Sequence, residues 1–307
     1  MNRFPGYARI FGGRQAARSI HFVLLVGWIL FVIVHVTLVV LTGFRRNMNH
    51  IVLGTDDWGP MGMILGFIGI AIVLISWLAA HYISWYIPRA LQHVEKAITQ
   101  PVKLATLDTL IPREHYTENQ ISPYFWPNGK MPKREDWKRM ADGQFRDYKL
   151  RVSGLVENPV ELSLEELRRL GTEEHITMHH CIQGWSGIAR WNGLPMRKLI
   201  DLVRPYPYAK TIVFYSFGEA LYGDAYYDTQ NVYNALKPEC LLAFEMNGEP
   251  LPLVYGAPLR LRVENQLGYK MVKWIERIEF VESEKQVGEG EGGKNEDDEY
   301  FDLLPNI

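Results

Sequence analysis

Cysteine is nearly absent from this chain: Cys181 and Cys240 are the only two in 307 residues. A disulfide framework is therefore excluded as the source of stability. Neither sign of charge prevails, with 33 Lys and Arg against 35 Asp and Glu, so there is no basic surplus to hold a nucleic acid. Charge is also missing locally. No Asp, Glu, Lys or Arg stands between Arg18 and Arg45, nor between Asp57 and Arg89. The core of a soluble helical hairpin rarely runs so long without charge, and each stretch exceeds the ~20 apolar residues that cross a bilayer as a helix. Two transmembrane helices are expected, at about 20–43 and 61–87. The first starts too late and runs too long for a cleaved signal peptide, and no small-residue cleavage site follows it.

The positive charges set an expected orientation. The N-terminal tail carries Arg3, Arg9, Arg14 and Arg18, and the stretch after the second helix carries Arg89, Lys96 and Lys103. The connecting loop has Arg45 and Arg46, offset by Asp56 and Asp57. The positive-inside rule puts both ends, and the C-terminal domain, in the cytoplasm at a bacterial inner membrane. No twin-arginine pair precedes the first apolar run.

Residues 1–90 thus read as a membrane domain, 91–146 as an extended linker, 147–284 as a catalytic domain and 285–307 as an acidic, glycine-rich tail. The linker has Pro101, Pro112, Pro123, Pro127 and Pro132 and is expected to wrap the following domain, with one short helix near 133–142. Beyond it, Tyr148–Ser153 alternates like a strand and Gly154–Pro159 turns. Ser163 with Glu166 forms a capping box that starts a helix through Leu170. A strand at 175–180 leads into the Cys181 loop, and Leu194–Leu202 reads as a second short helix. Strands are expected at Thr211–Phe217, Leu241–Met246, Leu259–Val263 and Ile275–Glu282. Strands in runs, with few short helices, indicate an α+β domain. The tail, with Gly288-Glu289-Gly290-Glu291-Gly292-Gly293, is read as a flexible, solvated terminus.

The phrase His179-His180-Cys181-Ile182-Gln183-Gly184-Trp185-Ser186 concentrates the chemistry. A lone cysteine beside histidines and a glycine turn is a candidate thiolate nucleophile or soft-metal ligand, although a buried, unreactive cysteine is the commoner case. Cys240, leading into an apolar run, is read as that commoner case. Further motifs follow in order: Leu150–Pro159, Met246-Asn247-Gly248-Glu249-Pro250-Leu251-Pro252, Gly256-Ala257-Pro258-Leu259-Arg260, and Gly268-Tyr269-Lys270-Met271-Val272-Lys273-Trp274-Ile275. Together these resemble the molybdenum-cofactor domain of the sulfite oxidase superfamily, over residues from about 100 to the end. The resemblance is closest to the bacterial branch with the methionine-sulfoxide reductase catalytic subunits.

This resemblance implies a sulfite-oxidase-type α+β fold and a molybdenum–molybdopterin cofactor without an attached nucleotide. Cys181 stands at the family's molybdenum-ligand position, a soft thiolate for a soft site. Arg260 and Lys273 match the binders of the cofactor's phosphate, with Lys270 beside them. Asn119, Asn128 and His180 are expected along the pterin edge, and Tyr255 stands where some members place a histidine. Gln183-Gly184-Trp185 replaces the Ala-Gly-Asn-Arg of sulfite oxidases proper. The missing arginine disfavours sulfite, and Trp185, with Trp191, is expected to wall a pocket for a neutral S-oxide or N-oxide. Trp137 and Trp274 are read as core.

The first apolar stretch also contains His21 and His35, fourteen residues apart, which places them ~21 Å apart on nearly one helix face. Ionisable groups inside a membrane are expensive and usually functional. The run Arg18-Ser19-Ile20-His21-Phe22, with Val34-His35-Val36, Gly43 and Asn47-Met48-Asn49, resembles the haem-ligating helix of formate dehydrogenase and thiosulfate reductase b-type cytochromes. That resemblance implies b haem; His81 in the second helix lies at about the depth of His21, so these two are expected on one iron, with His35 left for a second. His50 in the loop is a further candidate. A homodimer or another membrane subunit would supply the missing ligands. In those cytochromes the helix enters from the outer face, which would place the catalytic domain in the periplasm instead. The alternative for the histidines is hydrogen bonding to neighbouring helices.

The expected protein is a membrane-anchored molybdopterin-dependent oxidoreductase. It exchanges electrons with quinone, quinol or a cytochrome partner and acts on a small-molecule S- or N-oxide. Oxidation of a reduced sulfur compound, and a non-catalytic haem electron-transfer or scaffold subunit, are the alternatives.

Overall fold

The computed structural model describes residues 10–12, 14–106, 116–299, 301–303 and 305. Arg3 and Arg9, used above for orientation, lie outside the described residues, as do linker residues 107–115. The chain divides into two compact units, Met1–Pro112 and Arg113–Ile307.

The first unit is helical: α1 (Arg14–Leu41), α2 (Phe44–Leu53), α3 (Met61–Tyr86) and α4 (Pro88–Thr106). Within them, Ala16–Leu41 and Met61–Tyr86 are long and apolar enough to cross a membrane, and neither apolar window is buried inside the unit. The loop between them is more ordered than its composition suggests. Asn49, fully buried, accepts from the Gly62 amide (2.7 Å) and donates to the carbonyls of Asp57 and Gly59 (2.9 Å each), so α2 is tied to the start of α3. Arg46 pairs with Asp56, which also meets His50 Nε2 at 3.0 Å.

α4 corrects the expectation of an extended segment after residue 90. Pro88 occupies the first turn, where its fixed φ favours a helix, and Leu91, Val94, Ile98 and Val102 recur at helical spacing. Pro101 inside the helix removes one hydrogen bond without ending it.

The second unit is α+β. Its elements are α5 (Glu135–Asp142), β1 (Lys149–Gly154), β2 (Val160–Ser163), α6 (Leu164–Arg169), β3 (Glu173–His180), β4 (Ser186–Pro195), α7 (Met196–Val203), β5 (Thr211–Glu219), β6 (Ala225–Asn231), α8 (Val232–Ala235), β7 (Cys240–Met246), β8 (Glu249–Pro250), β9 (Arg260–Val263), β10 (Ile275–Val281) and α9 (Lys294–Asp298). One five-stranded sheet runs β2-β1-β10-β5-β6, and β1–β10 is its one parallel pair. The other runs β3-β4-β7-β8, with β9 also paired to β7.

Local chemistry explains several boundaries. Ser163 caps α6 by accepting from the Glu166 amide while the Glu166 carboxylate accepts from the Ser163 amide (2.8 Å), the capping box read from sequence. Trp137 is buried and donates its indole N–H to the Ala257 carbonyl (3.1 Å), as befits a core residue. Cys240 is buried, and burial pushes its thiol pKa far up, so it packs and does not react.

Three sequence expectations need correction. Residues 116–146 belong to the second fold: Ser122 donates its amide to the Ile188 carbonyl (2.9 Å) and Phe125 sits in the core. The strands β4 and β6 were not anticipated. Gly187, Gly193 and Pro195 dilute the apolar pattern of the first, and the second is polar, with Asp228, Thr229 and Gln230 buried. The tail is not a solvated terminus. Lys294–Asp298 is helical and Glu296 and Asp297 are buried, because a buried lysine from the core, Lys270, needs their side of the fold for its counter-charge.

Candidate active site

The antiparallel β3–β4 pair closes at His180–Ser186, and the tip it leaves is Cys181–Trp185. There the Cys181 amide donates to the Trp185 carbonyl and the Gly184 amide to the Cys181 carbonyl, both at 3.0 Å. The tip is thereby a tight turn, which fixes the direction of the thiol. Cys181 is 7 % exposed, and Asn128 Nδ2 approaches its Sγ at 3.6 Å. The same Asn128 accepts at its carbonyl from Lys273 Nζ. One asparagine therefore joins the thiol to a lysine far away in sequence.

Around these groups lies a cavity of about 510 Å³, of a size that suits a cofactor or small ligand. Six of the sequence-predicted site residues line it: Asn128, Cys181, Trp185, Tyr255, Arg260 and Lys273. Tyr255 donates its hydroxyl to the Phe125 carbonyl (2.6 Å), and its own carbonyl accepts from Arg260 Nη1 (2.9 Å). Gly256, at φ +120°, lies where a Cβ would press on both Arg260 and Lys273, so glycine lets these two cations share one wall.

The cavity's charge is unbalanced. Arg260 is buried, and its Nε has no hydrogen-bond partner among the described residues. Burial and the neighbouring Arg262 both act against its charge, yet a guanidinium does not deprotonate in a protein. Burial, then the Arg260 charge, pulls the Lys273 pKa down to about 7. Trp185 Nε1 is a second buried donor without a partner. Two cations that pair with no carboxylate among the described residues, and two buried donors without a partner among them, suit an oxygen-rich anion, although Glu219 and Glu299 also line the cavity. A phosphate-bearing pterin with a soft ligand at Cys181 fits that donor set.

Three predicted residues are placed elsewhere. Asn119 is exposed on a short turn, where its Oδ1 accepts from the Thr117 hydroxyl. His180 sits at the hairpin's edge with Nδ1 3.0 Å from Ser186 Oγ, outside the cavity lining. Lys270 is fully buried between Asp228 and Glu296, its ammonium committed to both carboxylates. Trp191 does not wall the cavity but is buried beneath it, with the guanidinium carbons of Arg260 and Arg262 at 4.8 and 4.3 Å from its ring. Trp274 is buried in the core as expected, and its ring also lines the cavity, with Lys273 Nζ 4.1 Å above it.

The histidine that does line the cavity is His179. Its Nδ1 is 3.0 Å from Arg262 Nη1, which can only donate, so the neutral ring carries its proton on Nε2. Burial, with Arg262 and Arg260 nearby, holds its pKa well below the ordinary value and keeps it neutral. Gly268 packs flat on this ring, and a Cβ there would collide with it. Strand alternation was the signal for His179: residues 179 and 181 fall on one face and 180 on the other.

Residues 137–288 match the family model described as the oxidoreductase molybdopterin binding domain. The second unit thus contains a molybdopterin oxidoreductase domain, and its fold is α+β. More narrowly, the chain is similar to protein-methionine-sulfoxide reductase subunits. It is 35 % identical over 131 residues to the "Putative protein-methionine-sulfoxide reductase subunit YedZ1" of Azospira oryzae, covering 43 % of this chain and 48 % of that protein. It is 36 % identical over 149 residues to the "Protein-methionine-sulfoxide reductase catalytic subunit MsrP" of Gluconobacter oxydans, covering 45 % and 48 %. With the MsrP of Campylobacter jejuni the identity is 29 % over 220 residues, covering 68 % and 71 %. The chain spans about half the length of the first two of these relatives. Among solved structures, the sulfane dehydrogenase SoxCD of Paracoccus pantotrophus matches over 45 % of this chain and 39 % of that one, with 23 % identity and a TM-score of 0.40.

Proposed function

We propose that the chain is a membrane-anchored oxidoreductase that reduces a small S-oxide or N-oxide, methionine sulfoxide foremost, with electrons drawn from the membrane. The observation that carries the reading is the Cys181 thiol, held by Asn128 in a cavity whose Arg260 and Lys273 form no ion pair among the described residues. Cys181 would ligate the molybdenum, and Arg260 and Lys273 would hold the cofactor's phosphate. The bound molybdenum supplies the oxo-transfer chemistry. The protein's part is orientation and exclusion of water. Trp185, with Trp126 and Met131, gives the cavity an apolar side suited to a neutral substrate. The neutral His179 offers an N–H without adding charge.

The hairpin is read as the anchor and as the electron route. His21, His35 and His81 are exposed on the isolated unit, and His35 stacks on Phe31 at 5.4 Å between ring centres. Haem ligation by these residues therefore calls for facing ligands from a second copy or another membrane subunit. Quinol would then be the donor.

The test uses detergent-purified full chain. Expected are about one molybdenum per chain by metal analysis, turnover of methionine sulfoxide with a reduced quinol, and near-complete loss of turnover in C181S. Full activity in C181S, or no molybdenum from a cell able to make the cofactor, overturns the catalytic reading. A reduced-minus-oxidised spectrum without a b-type α-band removes the haem and leaves the hairpin as an anchor.

A further inference from the structure

We infer that α4 is an interfacial helix, lying in the headgroup region of an anionic bilayer with its apolar stripe toward the acyl chains. The inference rests on the reading of α1 and α3 as membrane-spanning. Along α4, Leu91, Val94, Ile98 and Val102 recur at steps of three and four, with alanines at 97 and 105 between them. That spacing makes one continuous apolar face on a helix of 19 residues, ~28 Å long. Leu91 is partly buried within the first unit, but the rest of the face is open: Val94, Ile98 and Val102 are 57, 68 and 61 % exposed. Single exposed apolar residues are ordinary, but a contiguous stripe marks a surface with a partner.

Position and charge select a bilayer as that partner. α4 begins immediately after α3, which ends at Ile87 with a break in the helical backbone (φ −131°, ψ 47°). The last turns of α3 expose Tyr82, Trp85 and Tyr86, with Tyr82 and Tyr86 stacked at 6.1 Å. Aromatic side chains clustered at the end of an apolar helix mark the membrane–water boundary. α4 thus starts at that boundary, continuous with the lipid-facing surface of α3. It is too polar to continue across the membrane. The helix holds Arg89, Lys96 and Lys103 against a single acid, Glu95, a surplus that favours anionic headgroups.

The experiment places an environment-sensitive fluorophore at I98C, on the stripe, and at T99C, beside it. The full chain is reconstituted in phosphatidylcholine–phosphatidylglycerol vesicles. The native cysteines are both buried, and parent protein treated with the same label sets the background. The I98C label should shift its emission to the blue, be quenched by nitroxide attached to lipid, and resist aqueous iodide; T99C should show the reverse. An I98C label quenched by iodide as strongly as T99C overturns the inference. So does one shielded from both quenchers, because protein would then cover the stripe. V73C on α3 separates the two readings. Its quenching by deep nitroxide with α4 unprotected sinks only the interfacial helix, and its failure to quench sinks the anchor as well.

Discussion

Lys270 and Lys273 are three residues apart, both are largely buried, and the fold treats them in opposite ways. Lys270 meets Asp228 and, at 2.7 Å, Glu296. Burial works against its ammonium, but the two carboxylates outweigh burial and raise its pKa. Burial, together with the Glu296 charge, raises the Asp228 pKa, and Lys270 only partly offsets this. Among the described residues Lys273 has no such partner: it donates to the carbonyls of Asn128 and Val254, and Arg260 stands beside it. A buried charge balanced by the chain is structural. One left unbalanced beside a cavity is reserved for a ligand.

The widest break in this comparison is K270M. It leaves Asp228 and Glu296 buried without a cation, a change that costs about 3–5 kcal/mol. The tail should loosen as well, because Glu296 is its buried anchor. Asn295, Glu299 and Phe301 of that tail line the cavity, so cofactor retention should fall with stability. Thermal melting and limited proteolysis of the C-terminal segment check both effects. A variant as stable as the parent would show that the paired lysine does not secure the tail.

K273M should do the reverse. Removing an unbalanced cation from the cofactor-free protein should leave its melting temperature unchanged or higher. The loaded protein, however, loses a charge-assisted hydrogen bond of about 1.5–3 kcal/mol, roughly ten- to a hundredfold in cofactor retention. Molybdenum content after gel filtration reads this directly. Equal destabilisation by K270M and K273M in cofactor-free protein would erase the distinction.

The pH dependence sharpens the same contrast. The Lys273 pKa is about 7 in the fold against an ordinary 10.5, so between those values the unfolded chain carries a proton that the folded chain does not. Stability of the cofactor-free protein therefore gains a rising contribution from pH 7 toward 10.5, with its cost fully present below 7. A bound anion restores the proton, so loading removes the effect. The difference in melting temperature between the parent and K273M, followed from pH 6 to 10, isolates this contribution. A flat difference would mean that Lys273 keeps its charge unaided.

Much of this site was legible, for a definite reason. Cys181, Arg260, Lys273 and Tyr255 lie in or between motifs whose order carries the family resemblance, Asn128 precedes them, and all five meet in the cavity. Lys270 was misread because sequence cannot show which of two nearby lysines finds carboxylates: Asp228 and Glu296 are distant in the chain, and one of them lies in a segment that composition marks as solvated. His179 was passed over for His180 because adjacency to Cys181 was weighed above strand alternation. In the fold at large, proline counted as a breaker hid α4, although the apolar spacing through Pro88–Thr106 was there to read. β6 was hidden by its polarity, which serves the same buried network as Lys270.

The smallest expected effect tests the link between the thiol and the unbalanced lysine. Asn128 donates from its side chain to the Cys181 sulfur and accepts from Lys273 at its carbonyl, while its Oδ1 accepts from the Gly129 amide (2.8 Å). N128A keeps the carbonyl but removes the donor to sulfur and the support of the following turn. A neutral hydrogen bond of this kind contributes about 0.5–1.5 kcal/mol, so turnover or molybdenum retention should fall by less than about tenfold. Stability of the cofactor-free protein should hardly change, because Asn128 is exposed at the cavity edge and not part of the core. N128D separates orientation from charge. A carboxylate 3.6 Å from the sulfur would oppose a thiolate and also offer Lys273 the anion that the fold withholds. If N128D raises cofactor-free stability while lowering molybdenum content more than N128A does, the lack of a carboxylate paired with Lys273 is a functional feature. If the two variants behave alike, Asn128 serves only the shape of its turn.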